Sequence, residues 1–475
     1  MSPTSSPPTS LAHADFAPGF RGTVLRGGDA GFDAARVVFN GRTADTPPAL
    51  IAGCVDEDDV TAALRYASAR DLPVAVRGGG HGADGHAMPA GALVLDLSGM
   101  REITVDPRTR TVGAQAGAVL GELDAATQEY GLVVPSGTVT TTGIAGLTLG
   151  GGIGHLMRRF GATVDNLLAC EMITVDGRKV RADEMENPDL FWALRGGGGN
   201  FGVVTAFEYR AHALGPGVVS GQIVFPGEQA AAVLSKLHAF MADAPRELGL
   251  GTTLTVAPPL PGMPEEVHGK PVLILIPCHT GPRGEAEEII GRLTALGTPV
   301  LDTVGPTTWL KTNSMLDAVV PYGRRTTVRG GYLATLGEAV VNTLVERLAA
   351  VPNAPGTMST INVWSLGGAI SEDVGEDATA FSRKGASWLW ECAPVWTERV
   401  HDASFDEWAE ATRSALSPYT LPNAYTNLTQ DMGEAWRRGV FGSAAKYRRL
   451  AEVKAVWDPR NLLRHNKNIT PAAGE

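Results

Sequence analysis

The sequence predicts an α+β protein of two domains, and three observations carry that prediction. Helical and strand-like segments from about Ala44 to Leu214 follow one another in mixed order, without the regular strand–helix ladder of a parallel α/β fold. After Leu214–Gly217 the texture changes to longer units, and six of the nine tryptophans lie between Trp309 and Trp408. Glycine is concentrated in the first part: the 58 glycines among 475 residues are about 12%, against a typical ~7%. The expected division is a flexible tail and lead-in over 1–43, a glycine-rich domain over 44–215 and a sheet-and-helix cap over 216–420.

Local patterns justify the elements in order. Asp56–Asp71 has acids in its first turn and apolar residues at helical spacing, so it reads as a helix. LPVAVRG and the run Ala92–Met100 are short strands, and EITVDPRTRTVGAQAG is a hairpin turning at Asp106-Pro107. VLGELDAATQEYG is a helix closed by Gly131. MITVDGRKVRA turns at Asp176-Gly177, PDLFWALRG is a short helix with Pro188 in its first turn, and VVTAFEYRA is a strand. In the cap, helices over EQAAAVLSKLHAFMADA and GEAEEIIGRLTAL alternate with strands at QIVF, TLTVA, PVLILIP, TINVWSLGG and SWLWECAPVW. The tryptophans there suit either a cavity wall or ordinary core packing.

Composition narrows the function classes. A chain of this length can bury roughly three quarters of its unfolded surface, so neither disulfide nor metal is needed to fold it. With 40 basic and 51 acidic residues the net charge is −11, which argues against nucleic acid as a partner. Cys54, Cys170, Cys278 and Cys392 are too far apart for a CxxC pair or a zinc pattern, and no HxxxH or HEXXH spacing occurs, so no metal is expected. No apolar run reaches membrane-spanning length, and the Pro/Ser/Thr-rich N-terminus lacks the features of a signal peptide. The expectation is a cytoplasmic protein without a membrane partner, for which a homodimer is left open.

Four glycine loops carry the chemistry: Arg77–Gly82, Pro135–Gly137, Gly150–Gly154 and Arg195–Gly202. Two contain or begin a GxGxxG, Gly80/Gly82/Gly85 and Gly197/Gly199/Gly202, but the first leads into another strand and the second has a helix before and a strand after it. Both fail the strand–loop–helix context of a Rossmann site. Consecutive glycine amides can still form an anion-binding nest, to which Arg77 would add charge. Four such loops within about 125 residues favour a large phosphate-bearing ligand over a set of unrelated tight turns.

LPVAVRGGGHGADGH, PSGTVTTTGIAGLTLGGGIGHLMRRFGATVDNL and NPDLFWALRGGGGNFGVVTAFEYR resemble the FAD-binding half of the vanillyl-alcohol-oxidase superfamily. FGSAAKYRRLAEVKAVWDPRNLLRHNKNITP resembles the end of its berberine-bridge-enzyme-like branch, and the bacterial natural-product members are most similar. The resemblance implies a two-domain flavoprotein with an FAD-binding domain, an antiparallel-sheet substrate cap, and a C-terminal segment, 421–475, that returns to the FAD domain. It implies covalent FAD carried by His81 alone, because Val139 stands where relatives place a second attaching cysteine. Cofactor contacts carry over to Gly78, Gly79, Gly80 and Gly82, to Gly137, Thr142 and Gly146, and to Gly150, Gly151, Gly152 and Gly154. Asn200, Phe201, Gly202 and Val204 are expected to border the nucleotide, and Asn466 and Asn468 to return to the flavin edge.

The implied activity is hydride transfer from a secondary-metabolite alcohol, phenol or amine to flavin N5, with reoxidation by O2. A flavin oxygenase acting on a polyketide-like intermediate and a non-catalytic flavin-carrying protein are the alternatives. The reaction needs a base for the substrate O–H or N–H proton. Glu391, a carboxylate among aromatics, is the first choice; a solvated acid on an edge strand is the competing reading. Alternation places Glu391 opposite Trp388, Trp390 and Cys392, so Tyr425 inherits the role if the tryptophan face lines the cavity. Tyr425 and Asn427 match a late Y-x-N strand, and His155, beside the third glycine loop, is a candidate pocket residue or a packed structural histidine.

Overall fold

The structure is a computed structural model that describes residues 16–259 and 262–473. The reading of residues 1–15 as a frayed tail lies outside them. For residues 16–43 the expected flexibility is corrected. Phe16 and Phe20 are buried, with the Phe16 ring 4.3 Å from that of Tyr66, and Thr23–Leu25 pairs antiparallel with Leu50–Gly53. Two buried aromatic side chains so close in sequence bring enough apolar area to hold this stretch down.

Two sheets build the glycine-rich part. In the first, Leu50–Gly53, Leu93–Asp96 and Val74–Arg77 run parallel, with Thr23–Leu25 along the edge. Helix Glu57–Ala69 buries Val60, Ala63, Leu64 and Ala67 in the core beside this sheet. Its N-cap Asp56 accepts from the amides of Asp58 and Asp59, satisfying two donors the helix cannot. The second sheet is antiparallel, in the order Ile103–Asp106, Thr111–Gln115, Val203–Arg210, Leu167–Ile173, Lys179–Asp183. Both expected hairpins are present; the second turns through Gly177 at φ +83°, a left-handed conformation that suits glycine.

Helix Ala444–Trp457 places Tyr447 and Leu450 in the same core as Phe191, Trp192 and Phe201. A fully buried ion pair fixes the chain that follows. Lys454 Nζ donates to Asp458 Oδ2 (2.7 Å), to the Asn200 carbonyl (2.6 Å) and to the Leu463 carbonyl (3.0 Å). All three ammonium protons are used, as a buried charge requires. The terminal run is thereby clamped to the fourth glycine loop, where the Ile469 amide donates to Asn200 Oδ1 (3.0 Å).

The cap is built on an antiparallel sheet in the order Leu301–Asp302, Ile223–Pro226, Pro271–His279, Leu248–Val256, Thr360–Ser365, Trp388–Ala393, Arg329–Leu333. Side chains alternate across it with period two. Leu250, Leu275, Val363, Trp388, Trp390 and Cys392 share one apolar core with helices Ala230–Ala242, Glu338–Ala349 and Asp402–Leu416. The opposite face looks toward the glycine loops. Core packing therefore accounts for Trp388, Trp390 and Trp408, while Trp364 belongs to the loop-facing side.

Candidate active site

Between the open face of the cap sheet and the glycine loops lies a cavity of about 820 Å³. Gly78, Gly79, Gly80, His81 and Gly82 line it from the first loop, and Gly137, Thr142 and Gly146 from the second. Gly150 and Gly154 contribute from the third, and Asn200, Gly202, Val204 and Asn466 close that end. At Gly82, Gly146 and Gly199 no atom lies within 4 Å of where a Cβ would stand, leaving backbone open to a ligand.

Six expected site residues do not reach the wall. Arg77 turns its guanidinium to Asp96 (3.3 Å) and to the Ala35 and Val37 carbonyls, so its charge is spent behind the loop. Phe201 is fully buried in the core, and Asn468 stands outside the cavity lining. Gly151 and Gly152 make the turn of the third loop at φ +131° and +80°. His155 is buried behind the lining residue Trp364, their rings edge to face at 6.1 Å; burial pushes its pKa down to about 4, so it is neutral. The expectation that His155 faces the pocket is corrected: it packs.

His81 is caged. Phe39 stacks on its ring at 4.5 Å, Tyr322 stands edge-on at 5.6 Å, and Nε2 is buried without a hydrogen-bond partner. Burial lowers its pKa to about 4, leaving a neutral imidazole with a nitrogen lone pair. The cage is held from the cap. Tyr322 Oη shares its one proton between the Gly79 (2.7 Å) and Thr141 (3.0 Å) carbonyls, and Asp317 accepts from the Thr140 amide (2.8 Å) and hydroxyl (2.5 Å). Val139 lines the cavity and none of the four buried cysteines does. At the same end Lys467 pairs with Asp84, a contact with no local sequence signal because the two residues are far apart in the chain.

Glu391 lies on the cavity side of an interior strand, which sets aside the solvated edge acid. Its place follows from register: Thr253, Asn362 and Glu391 are directly opposite one another on three adjacent strands. Thr253 Oγ1 donates to Asn362 Oδ1 (2.9 Å), and Asn362 Nδ2 donates to Glu391 Oε1 (3.1 Å). Sequence reasoning missed Asn362 and Thr253, since strand register is not written in either strand alone. Burial raises the Glu391 pKa to about 7, opposed by the neighbouring Asn362 amide and Trp364 indole.

Tyr425 lines the cavity from a loop, followed by a short helical turn at Thr426–Leu428, where a strand was expected. The segment crosses over the sheet rather than joining it. Gly330, opposite Glu391, gives it room: a Cβ there would collide with the Leu428 carbonyl. Tyr425 Oη accepts from the Gly152 amide (3.2 Å) and from Asn427 Nδ2 (3.1 Å), keeping its own proton to give. Burial raises its pKa to about 12, so at neutral pH it is a donor and not a base.

Glycine cradle, caged histidine and a carboxylate across the cavity define an FAD-linked oxidoreductase with a substrate cap. The FAD binding domain family matches residues 48–183, and the berberine and berberine-like family matches 424–470. An FAD-linked oxidoreductase from Dictyostelium discoideum is 30% identical over 427 residues, 89% of each chain. The structure of 6-hydroxy-D-nicotine oxidase from Arthrobacter nicotinovorans superposes with a TM-score of 0.85 at 26% identity, covering 95% of this chain and 98% of that one. Glucooligosaccharide oxidase from Acremonium strictum, carrying 6-S-cysteinyl, 8α-N1-histidyl FAD, superposes at 0.84 with 22% identity over 95% and 98% of the chains. The chain belongs to the berberine-bridge-enzyme-like family of FAD-linked oxidoreductases. It is an enzyme, and the non-catalytic alternative falls away. Among the described residues no helix is long and apolar enough to cross a membrane.

Proposed function

We propose that this oxidoreductase is an oxidase that removes a hydride from a carbon bearing a hydroxyl or amino group, with Glu391 as the base and FAD held covalently by His81. The observation that carries the reading is Glu391 itself: a buried carboxylate with a pKa near 7, facing the glycine loops across the cavity. Such a group is poised to accept a proton at neutral pH. FAD, when bound, supplies the hydride acceptor and returns the electrons to O2 as hydrogen peroxide.

The residues of the chain do the rest. Asn362 fixes one carboxylate oxygen, which leaves Glu391 Oε2 for the substrate O–H or N–H proton. As the C–H hydride leaves, that proton moves to Oε2 and the C–O or C–N single bond becomes double. Tyr425 Oη, already accepting two hydrogen bonds, donates its proton to the reacting heteroatom and orients it. The wall of Trp364, Ile276 and Val328 keeps bulk water from competing for the carboxylate. The neutral, unpartnered His81 ring suits attachment at the flavin 8α-methyl group, and Val139 leaves no second point of attachment.

Anaerobic mixing of holoenzyme with a panel of secondary alcohols and amines tests the proposal. Bleaching of the flavin, then one hydrogen peroxide per product in air, supports it. Labelled oxygen passing from O2 into product would replace it with the oxygenase reading.

A further inference from the structure

The family spans substrates as different as a nicotine derivative and oligosaccharides, so the fold does not choose among them. The cap wall does. Ile274, Ile276, Met315, Val319, Val328 and Met358 line it with aliphatic surface. Apart from the Gln222 side-chain amide, most of the polar groups between them are committed to the protein. Thr255 Oγ1 donates to the Ser359 carbonyl (2.9 Å), Thr326 Oγ1 to the Pro394 carbonyl (2.8 Å) and Thr253 Oγ1 to Asn362 (2.9 Å). Asn362 spends its amide protons on Glu391 and Thr360.

Other donors with a proton still to give stand around the carboxylate. Tyr425 Oη is one; Trp364 Nε1, near enough to Glu391 to favour its carboxylate yet without a hydrogen-bond partner, is another, and the Thr360 hydroxyl, which only accepts from Asn362, is a third. A molecule with many hydroxyls would leave most of them without donors in a wall of this kind, at a cost for each buried oxygen.

Charge narrows the choice further. Among the described residues from 216 to 420 that line the cavity, Glu391 is the sole charged side chain. The cationic and titratable ring groups of the wall, Lys467, His81, His86 and His465, all belong to the glycine-loop end, and Lys467 is paired with Asp84. An anionic substrate would meet a buried carboxylate with no cation to offset it.

We propose that the site takes an apolar small molecule with a single hydrogen-bond donor, a hydroxyl or an amine, at its reacting carbon, and rejects anions and polyhydroxylated compounds. The role of Glu391 at the reacting carbon rests on the oxidase reading; the wall chemistry stands apart from it.

Calorimetric titration of the holoenzyme under anaerobic conditions tests this with four probes: 1-phenylethanol, N-methyl-1-phenylethylamine, 2-phenylpropanoate and cellobiose. The alcohol, the amine or both should bind at least roughly tenfold more tightly than the other two, the margin a mismatched polar group imposes. Which of them binds assigns the donor. In Glu391→Gln the disadvantage of 2-phenylpropanoate should shrink by roughly tenfold, because the buried repulsion is gone. Binding of cellobiose or 2-phenylpropanoate as tight as that of the best neutral or amine probe overturns the proposal, and so does absence of binding by all four. Tight binding of the alcohol without flavin bleaching sinks the oxidase reading and keeps this one. Bleaching by cellobiose does the reverse.

Discussion

At Glu391 two effects oppose each other. Burial disfavours the carboxylate, while the Asn362 N–H favours it, and the balance lies near pH 7. Rapid-mixing measurements of flavin reduction should show a limb that rises with pH through about 7 in the wild type. Glu391→Gln should remove that limb and slow reduction by roughly a hundredfold or more, and Tyr425→Phe should cost less. Asn362→Leu takes away a donor to the charged form, so the limb should move to higher pH; an unmoved limb would separate Asn362 from the base. His81 makes its own prediction. Acid-precipitated wild-type protein should retain flavin fluorescence in a denaturing gel, His81→Ala should lose it, and Val139→Ala should keep it.

Individual elements position these residues through a few long-range ties. Helix Ala444–Trp457 delivers Lys454 to the Asn200 carbonyl across 254 residues of sequence, and Asp458 caps the amides of Leu462 and Leu463. Removing Asp458 strands an ammonium in the interior, at a cost of about 3–5 kcal/mol. Asp458→Ala should therefore lower the melting temperature markedly and weaken flavin retention, since the fourth glycine loop loses its clamp. Equal melting curves for variant and wild type would separate the ion pair from the cofactor site. The cap segment with Asp317 and Tyr322 has the matching part on the other side, tying the first two loops to the cap.

Across the whole molecule, burial leaves a pH signature of mixed sign. Glu391 holds a proton in the native state between pH about 4.5 and about 7, where the unfolded chain has released it. The native state binds more protons there, so this group's contribution to stability declines as pH rises through that window. Asp124 acts alike at lower pH: burial raises its pKa to about 6, although it accepts from Trp309 Nε1 (2.9 Å) and Asn313 Nδ2 (2.6 Å) in joining the glycine-rich part to the cap. His81 and His155 act oppositely, since their pKa values near 4 make the unfolded chain the better proton binder up to about 6.5. The testable quantity is therefore a difference. From pH 4.5 to 7, denaturant midpoints should show Glu391→Gln gaining stability relative to wild type, by an amount on the order of 2–3 kcal/mol.

What the sequence by itself determined is local. The glycine loops, the acidic first turn of the helix after Asp56, the turn at Gly177 and the alternation along Trp388–Ala393 are properties of neighbouring residues, so they are legible in order along the chain. The same alternation left two answers for Glu391, because period two separates the faces of a strand without saying which face meets the core. Tertiary structure decided that, by laying the apolar helices over Trp388, Trp390 and Cys392 and leaving Glu391 beside Asn362. It also decided that Arg77 spends its charge on Asp96, that His155 packs behind Trp364, and that Phe16 and Phe20 turn a presumed tail into core. Register, burial and the choice of a charged partner depend on residues brought together from distant parts of the chain, and the free energy that selects them exists only once those surfaces meet.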